Sequence, residues 1–182
     1  MMKKIILGAA SLIFTITVNA QVYGSQSSEI SFYSKTPIED IDAKTTAAKG
    51  ALRTTDGLVK IKVKMISFKF EKPLMEEHFN EKYVESERYP DASFTGNVVE
   101  TIDYSKDGVH QVSVKGNLTI HGVTQERTIT GTITIKGGKI EMQTEFKVKL
   151  ADHKIEVPSV VTENIAEVID VKAYFLCEEI KK

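Results

Sequence analysis

The sequence predicts an all-β domain: one antiparallel sheet of about eight strands with a single short helix. Three observations carry this. Apolar and polar residues alternate with a period of two through most of the chain after the first twenty residues. Turn signals at His121-Gly122 and Gly137-Gly138 separate alternating runs. No helical stretch is long enough to cross over between parallel strands.

The chain opens MMKKIILGAASLIFTITVNAQ. Lys3 and Lys4 form a positive region, Ile5 to Val18 an apolar one, and Val18-Asn19-Ala20 a small-residue cleavage site. Residues 1–20 therefore read as a secretory signal peptide and residues 21–182 as the mature domain. The apolar region is too short and too cleanly ended for a membrane span, and no later stretch could be one. No cysteine stands directly after it to be acylated. The expected product is exported, to the periplasm or beyond the cell.

Without Lys3 and Lys4 the 24 basic side chains fall to 22, against 25 acidic ones, a net charge of −3. A nucleic-acid partner is not expected, because it calls for a clustered basic surface. Cys177 is the single cysteine, so no internal disulfide can form. It sits in an apolar run and reads as a small buried hydrophobe.

Along the chain, Ile30 and Phe32 alternate with Ser31 and Tyr33. In GLVKIKVKM, Val59, Ile61, Val63 and Met65 face one way and three lysines the other. The alternation then shifts to Ile66, Phe68 and Phe70, which predicts a bulge or bend at Met65-Ile66. KPLMEEHFN breaks the pattern. Pro73 suits a first helical position, Glu76 and Glu77 lie near the positive helix end, and Leu74, Met75, His78 and Phe79 share a side. An irregular EKYVESERYP follows, and a strand resumes near Ala92 with Phe94 and Val98 on one face. Three further runs align Val112, Val114, Leu118 and Ile120, then Ile129, Ile133 and Ile135, then Ile140, Met142, Phe146, Val148 and Leu150. A looser connection with Pro158 leads to a last strand at about Ala166 to Glu178. A sheet with one apolar face must cover it, by closing into a barrel or folding into two layers.

The stretch LTIHGVTQERTI tests the register. With His121-Gly122 as the centre of a two-residue turn, Ile120 faces Val123, Leu118 faces Gln125, Gly116 faces Arg127 and Val114 faces Ile129. A slip by one residue would set Val114 against a threonine and turn one apolar row outward. A type I′ turn needs positive φ at both central residues, which glycine gives freely and histidine tolerates. His121 thus reads as a turn residue. Arg127 becomes the odd inward-facing residue of the hairpin.

GNLTIHGVTQERTI, preceded by HFNEKYVESERYPDASFTGNVVE, resembles the YceI-like family of exported barrels. The matching residues are Gly116 to Thr124, His78-Phe79, Tyr83-Val84, Tyr89-Pro90 and Phe94. The resemblance implies a lipocalin-like, up-and-down antiparallel barrel, and a long apolar ligand of the polyisoprenoid class, such as an isoprenoid quinone. This chain departs from the family in having Met75 and Glu76 where many members carry an Arg-Asp pair, and Arg127 at a usually apolar position.

Catalytic and metal motifs do not stand out. His78, His110, His121 and His153 form no close ligand pair, so no metal site and no cofactor are expected. There is no nucleophile elbow, P-loop or dinucleotide-binding glycine pattern. The expectation is a binding protein rather than an enzyme. Its apolar lining is expected to come from Val59, Ile61, Val63, Met65, Phe79, Phe94, Val112, Val114, Leu118, Ile120, Ile129, Ile133, Met142, Phe146 and Val148. Medium-sized β-branched residues and glycines leave more bore than rows of aromatics would. Two polar residues are candidates for a handle on the ligand. His78 reads first as a helix C-terminal cap and second as a head-group ligand. Arg127 reads as a stem laid on apolar wall with its head at the rim, or as a cationic handle. The competing readings are a barrel enzyme acting on a lipid and a filled-core structural or interaction module.

Overall fold

The computed structural model describes residues 21–157 and 165–181. The leader and part of the Pro158 connection lie outside them. Ten strands form the sheet: β1 Val22–Lys35, β2 Asp40–Thr45, β3 Lys49–Arg53, β4 Leu58–Lys64, β5 Lys69–Phe70, β6 Asp91–Val98, β7 Gly108–Ile120, β8 Val123–Lys136, β9 Lys139–Lys149 and β10 Val168–Glu179. One α-helix, α1, spans Pro73–His78.

All pairings are antiparallel, and β10 pairs with β1 from Tyr23–Glu179 to Tyr33–Asp170, closing the sheet into a barrel. The barrel has eight staves, because two of them are bent. β2 and β3 are one stave: β2 pairs with the upper half of β1, and β3 with its start. β4 and β5 are the next, pairing with β3 and β2. The bend in the first bent stave exposes carbonyls, and buried Ser28 donates its hydroxyl to Ala48 O at 2.8 Å and Thr46 O at 3.2 Å. The bend in the second is the expected break at Met65-Ile66. It is a 3₁₀ turn, Met65–Ser67, rather than a bulge.

The β7–β8 turn has the expected form. His121 has φ 52° and Gly122 φ 69°, and the register pairs Ile120 with Val123, Gly116 with Arg127 and Val114 with Ile129. Gly137 and Gly138, also at positive φ, close β8 onto β9 between Lys136 and Lys139.

Taking the end that carries α1 as the upper one, the lower end is solid. Leu52, Ile140 and Cys177 are fully buried there, with Tyr23 and Ile135 beside them. Burial pushes the Cys177 thiol up to about 11, so it is an inert hydrophobe at neutral pH. Above this plug the inner wall carries a belt of small residues, where Gly131 faces Thr144 and Thr144 faces Ala173. The belt leaves the bore open.

Where β6 and β7 cross, glycine is obligatory. A Cβ on Gly116 would lie 2.2 Å from Thr95 O and 2.4 Å from Gly96 Cα, backbone that cannot step aside. Gly116→Ala is expected to cost about 1–3 kcal/mol, read as a lower urea midpoint. Gly137→Ala, at a tip with nothing within 4 Å of its Cβ, carries only the positive-φ strain and is expected to cost less than Gly116→Ala in the same titration.

Candidate functional site

The barrel encloses a cavity of about 670 Å³ with an almost wholly apolar wall. That lies within the usual range for small-molecule sites, about 300–1,000 Å³. Strand alternation builds the wall. Val59, Ile61 and Val63 come from β4, Phe94 from β6, and Val112, Val114, Leu118 and Ile120 from β7. Ile129 and Ile133 come from β8, and Met142, Phe146 and Val148 from β9. Met65 and Phe79 line the upper part. Every residue read from the sequence as apolar lining thus stands on this wall.

The sequence reading omitted the wall's other contributors. β10 supplies Ile169, Val171, Ala173 and Phe175, and β1 supplies Ile30 and Phe32. Phe32, Phe68, Phe70 and Phe79 form an aromatic cluster, with ring centroids 5.1 to 5.9 Å apart. The signal for Phe68 and Phe70 was present in the shifted alternation after Met65. Their meeting with Phe32, far away in sequence, was not.

α1 is short and none of its residues is buried. Pro73 starts it, and at Phe79–Tyr83 it widens into a π turn, with Val84 N–H donating to Phe79 O at 2.9 Å. The turn carries Phe79 and Tyr83 into the cavity wall. The cavity reaches the surface beside α1, at a rim that includes Glu39, Lys72, Leu74 and His78. Lys72 Nζ meets Glu39 Oε1 at 2.6 Å across this mouth. Leu74 is 60 % exposed there, and His78 is the last residue of α1.

Arg127 is elsewhere. It occupies an inward register position but is not on the cavity wall, and its guanidinium donates to Lys147 O at 2.7 Å. His121 does more than turn the chain. Nε2 meets Glu85 Oε2 at 2.7 Å, Nδ1 meets His153 O at 3.2 Å, and the ring stands edge-on to Tyr89 at 4.5 Å. Both polar partners are acceptors, so a neutral ring donates to one and an imidazolium to both. These contacts tie the hairpin tip to the segment after the π turn and to the 3₁₀ turn, Leu150–His153, that follows β9.

His153 is fully buried beneath that tip, with Nδ1 donating to Val123 O at 3.1 Å and Nε2 without a hydrogen-bond partner among the described residues. Burial lowers its pKa below the ordinary value, the Arg127 charge adds to this, and the bond to Val123 opposes it. Among the described residues no group of three or more His, Cys, Asp or Glu is placed to hold a metal ion. No described helix is long and apolar enough to cross a membrane.

The YceI-like domain model matches residues 17–175. The chain belongs to the YceI-like family. Among solved structures, it resembles a polyisoprenoid-binding domain from Saccharophagus degradans implicated in plant cell wall breakdown. The identity is 16 %, over 87 % of this chain and 98 % of that one, with a TM-score of 0.74. Burkholderia cenocepacia BcnA matches at 16 % identity over 82 % of this chain and 95 % of its own, with a TM-score of 0.69. The Campylobacter jejuni YceI protein matches at 17 % identity over the whole of both chains, with a TM-score of 0.56. At these identities the likeness is one of fold. Among curated proteins no relative matches.

The lowered pKa of His153 makes the barrel acid-sensitive. The folded state holds the ring neutral, so its contribution is fully present above the unfolded value of 6.5 and is lost as pH falls through the folded value. Thermal melts between pH 7.5 and 5 should show His153→Gln less stable than the native chain at pH 7.5, yet with a shallower decline on acidification.

Proposed function

We propose that this chain is an exported protein that sequesters or carries a long apolar, isoprenoid-like lipid, an isoprenoid quinone being one example. The observation that carries the reading is the apolar cavity above a solid lower plug. A filled-core module has no use for such a space. Binding needs no covalent step. Each buried CH₂ contributes roughly 0.8 kcal/mol, so about ten of them amount to roughly 8 kcal/mol, before the ordering costs of binding are subtracted. The S. degradans domain, named for polyisoprenoid binding, supports the same ligand class. The family supports a binding protein over an enzyme. His78 lies on the rim, which supports a role for it in meeting a polar head at the mouth.

Organic extraction of the natively purified protein, read by mass spectrometry, is expected to release an isoprenoid lipid. An extract without lipid, from a protein that also fails to take up such lipids when they are offered, removes the reading. Val114→Trp places a bulky ring on the wall and is expected to weaken binding at least tenfold, about 1.4 kcal/mol, with little loss of melting temperature.

We further propose that residues 1–20 are the export signal and that the mature domain is 21–182. N-terminal sequencing of protein recovered from outside the cytoplasm should begin at Gln21. A start at Met1 would overturn this.

A further inference from the structure

The stave joints are not equal. β7 and β8 are paired over the full hairpin, from Ile120–Val123 to Gly108–Ile135. β9 and β10 are paired from Lys139–Glu178 to Lys149–Val168. Between β8 and β9 the ladder runs only from Lys136–Lys139 to Gly131–Thr144. Above it, Val123 to Thr130 of β8 and Glu145 to Lys149 of β9 have no place in it.

Side chains bridge the joint instead. Thr144 Oγ1 donates to Thr130 O at 2.7 Å, and Arg127 to Lys147 O at 2.7 Å. Above them Gln125 Nε2 donates to Asp152 O at 2.8 Å, and His153 Nδ1 to Val123 O at 3.1 Å. The cavity extends to this joint: Thr130, Thr132 and Gln143 border it although they occupy outward positions on their strands.

We propose that the upper β8–β9 joint is a lateral entrance to the cavity, latched by Arg127. A ladder opens only when backbone moves, whereas a side-chain bond opens by rotation about χ angles. Each such bond stabilises the joint only modestly, because on opening its partners exchange it for bonds to water. An apolar chain can therefore pass sideways between the staves without unpairing the rest of the sheet. The latch also explains an arginine at an inward register position that does not reach the cavity wall. The proposal rests on the lipid-binding reading.

The test locks the joint. Continuing the ladder register places Thr128 opposite Lys147, both outside the cavity wall. In the double variant Thr128→Cys/Lys147→Cys the new thiols are joined as a disulfide, or by a short bis-maleimide, while native Cys177 stays buried. Loading of the delipidated protein is followed by stopped-flow fluorescence of retinol, an isoprenoid alcohol. The locked protein is expected to load at least tenfold more slowly than its unlinked form and to reach the same final occupancy. Arg127→Met, which needs no cross-link, is expected to load and release retinol several-fold faster than the native chain. Equal rates in locked and unlinked protein, or an unchanged rate in Arg127→Met, overturn the entrance and leave lipid binding standing. Absence of retinol binding in every form removes the lipid-binding reading and the entrance with it.

Discussion

The ladder between β1 and β10 is the interaction on which the rest depends. It joins the first and last strands of the domain, at Ile30–Ala173 for instance, and turns an open ten-stranded sheet into a closed one. An open sheet would leave two long edges and an uncovered apolar face. Closure removes the edges, faces every inward row toward another, and creates the enclosed volume. It is also a contact between residues far apart in sequence, so the loop entropy of nearly the whole domain is lost before it forms. Buried Ser34 adds to the closure by accepting the Ala166 N–H at 2.9 Å, just ahead of β10.

Within the closed barrel, residue size decides where space is left. Leu52, Tyr23, Ile135 and Ile140 fill the lower end, where the rows converge on Cys177. Higher up, Gly131, Thr144 and Ala173 lie side by side on neighbouring staves and cannot fill the bore between them. The aromatic cluster of Phe32, Phe68, Phe70 and Phe79 then narrows the upper end without sealing it. Solid base, hollow waist and partly covered mouth follow from one alternation rule applied to residues of different volume.

Much of the fold was legible because the strongest strands are also the most regular. β4, β7, β8 and β9 show their inward rows plainly, and the hairpin register followed from parity together with the turn chemistry of His121-Gly122. β2 and β3 were not read. Their inward residues include Ala43, Thr45 and Gly50, which are buried but carry little hydrophobic signal. The first half of β1 was missed for the same reason, since Ser25 and Ser28 face backbone groups that they satisfy by hydrogen bonds. Of the site, the wall of β4 and β6 to β9 was legible and the wall of β1 and β10 was not. Periodicity assigns a residue to a face, and only the closed sheet says which faces meet.

By itself the sequence determined the faces of β4 and β6 to β9, the tight turns, the short Pro73 helix and the family phrase at Gly116 to Thr124. All of these are local, set by side-chain parity and backbone preference over a few residues. The tertiary structure alone decided the rest. It bent the stave made of β2 and β3, gathered four phenylalanines, and gave His121 partners in Glu85 and His153. It also ended the β8–β9 ladder at Gly131–Thr144 and sent Arg127 to Lys147 O. Alternation shows which way a side chain points but is silent on which backbone groups find partners across a joint. That depends on how neighbouring staves twist and separate, a property of the whole closed sheet.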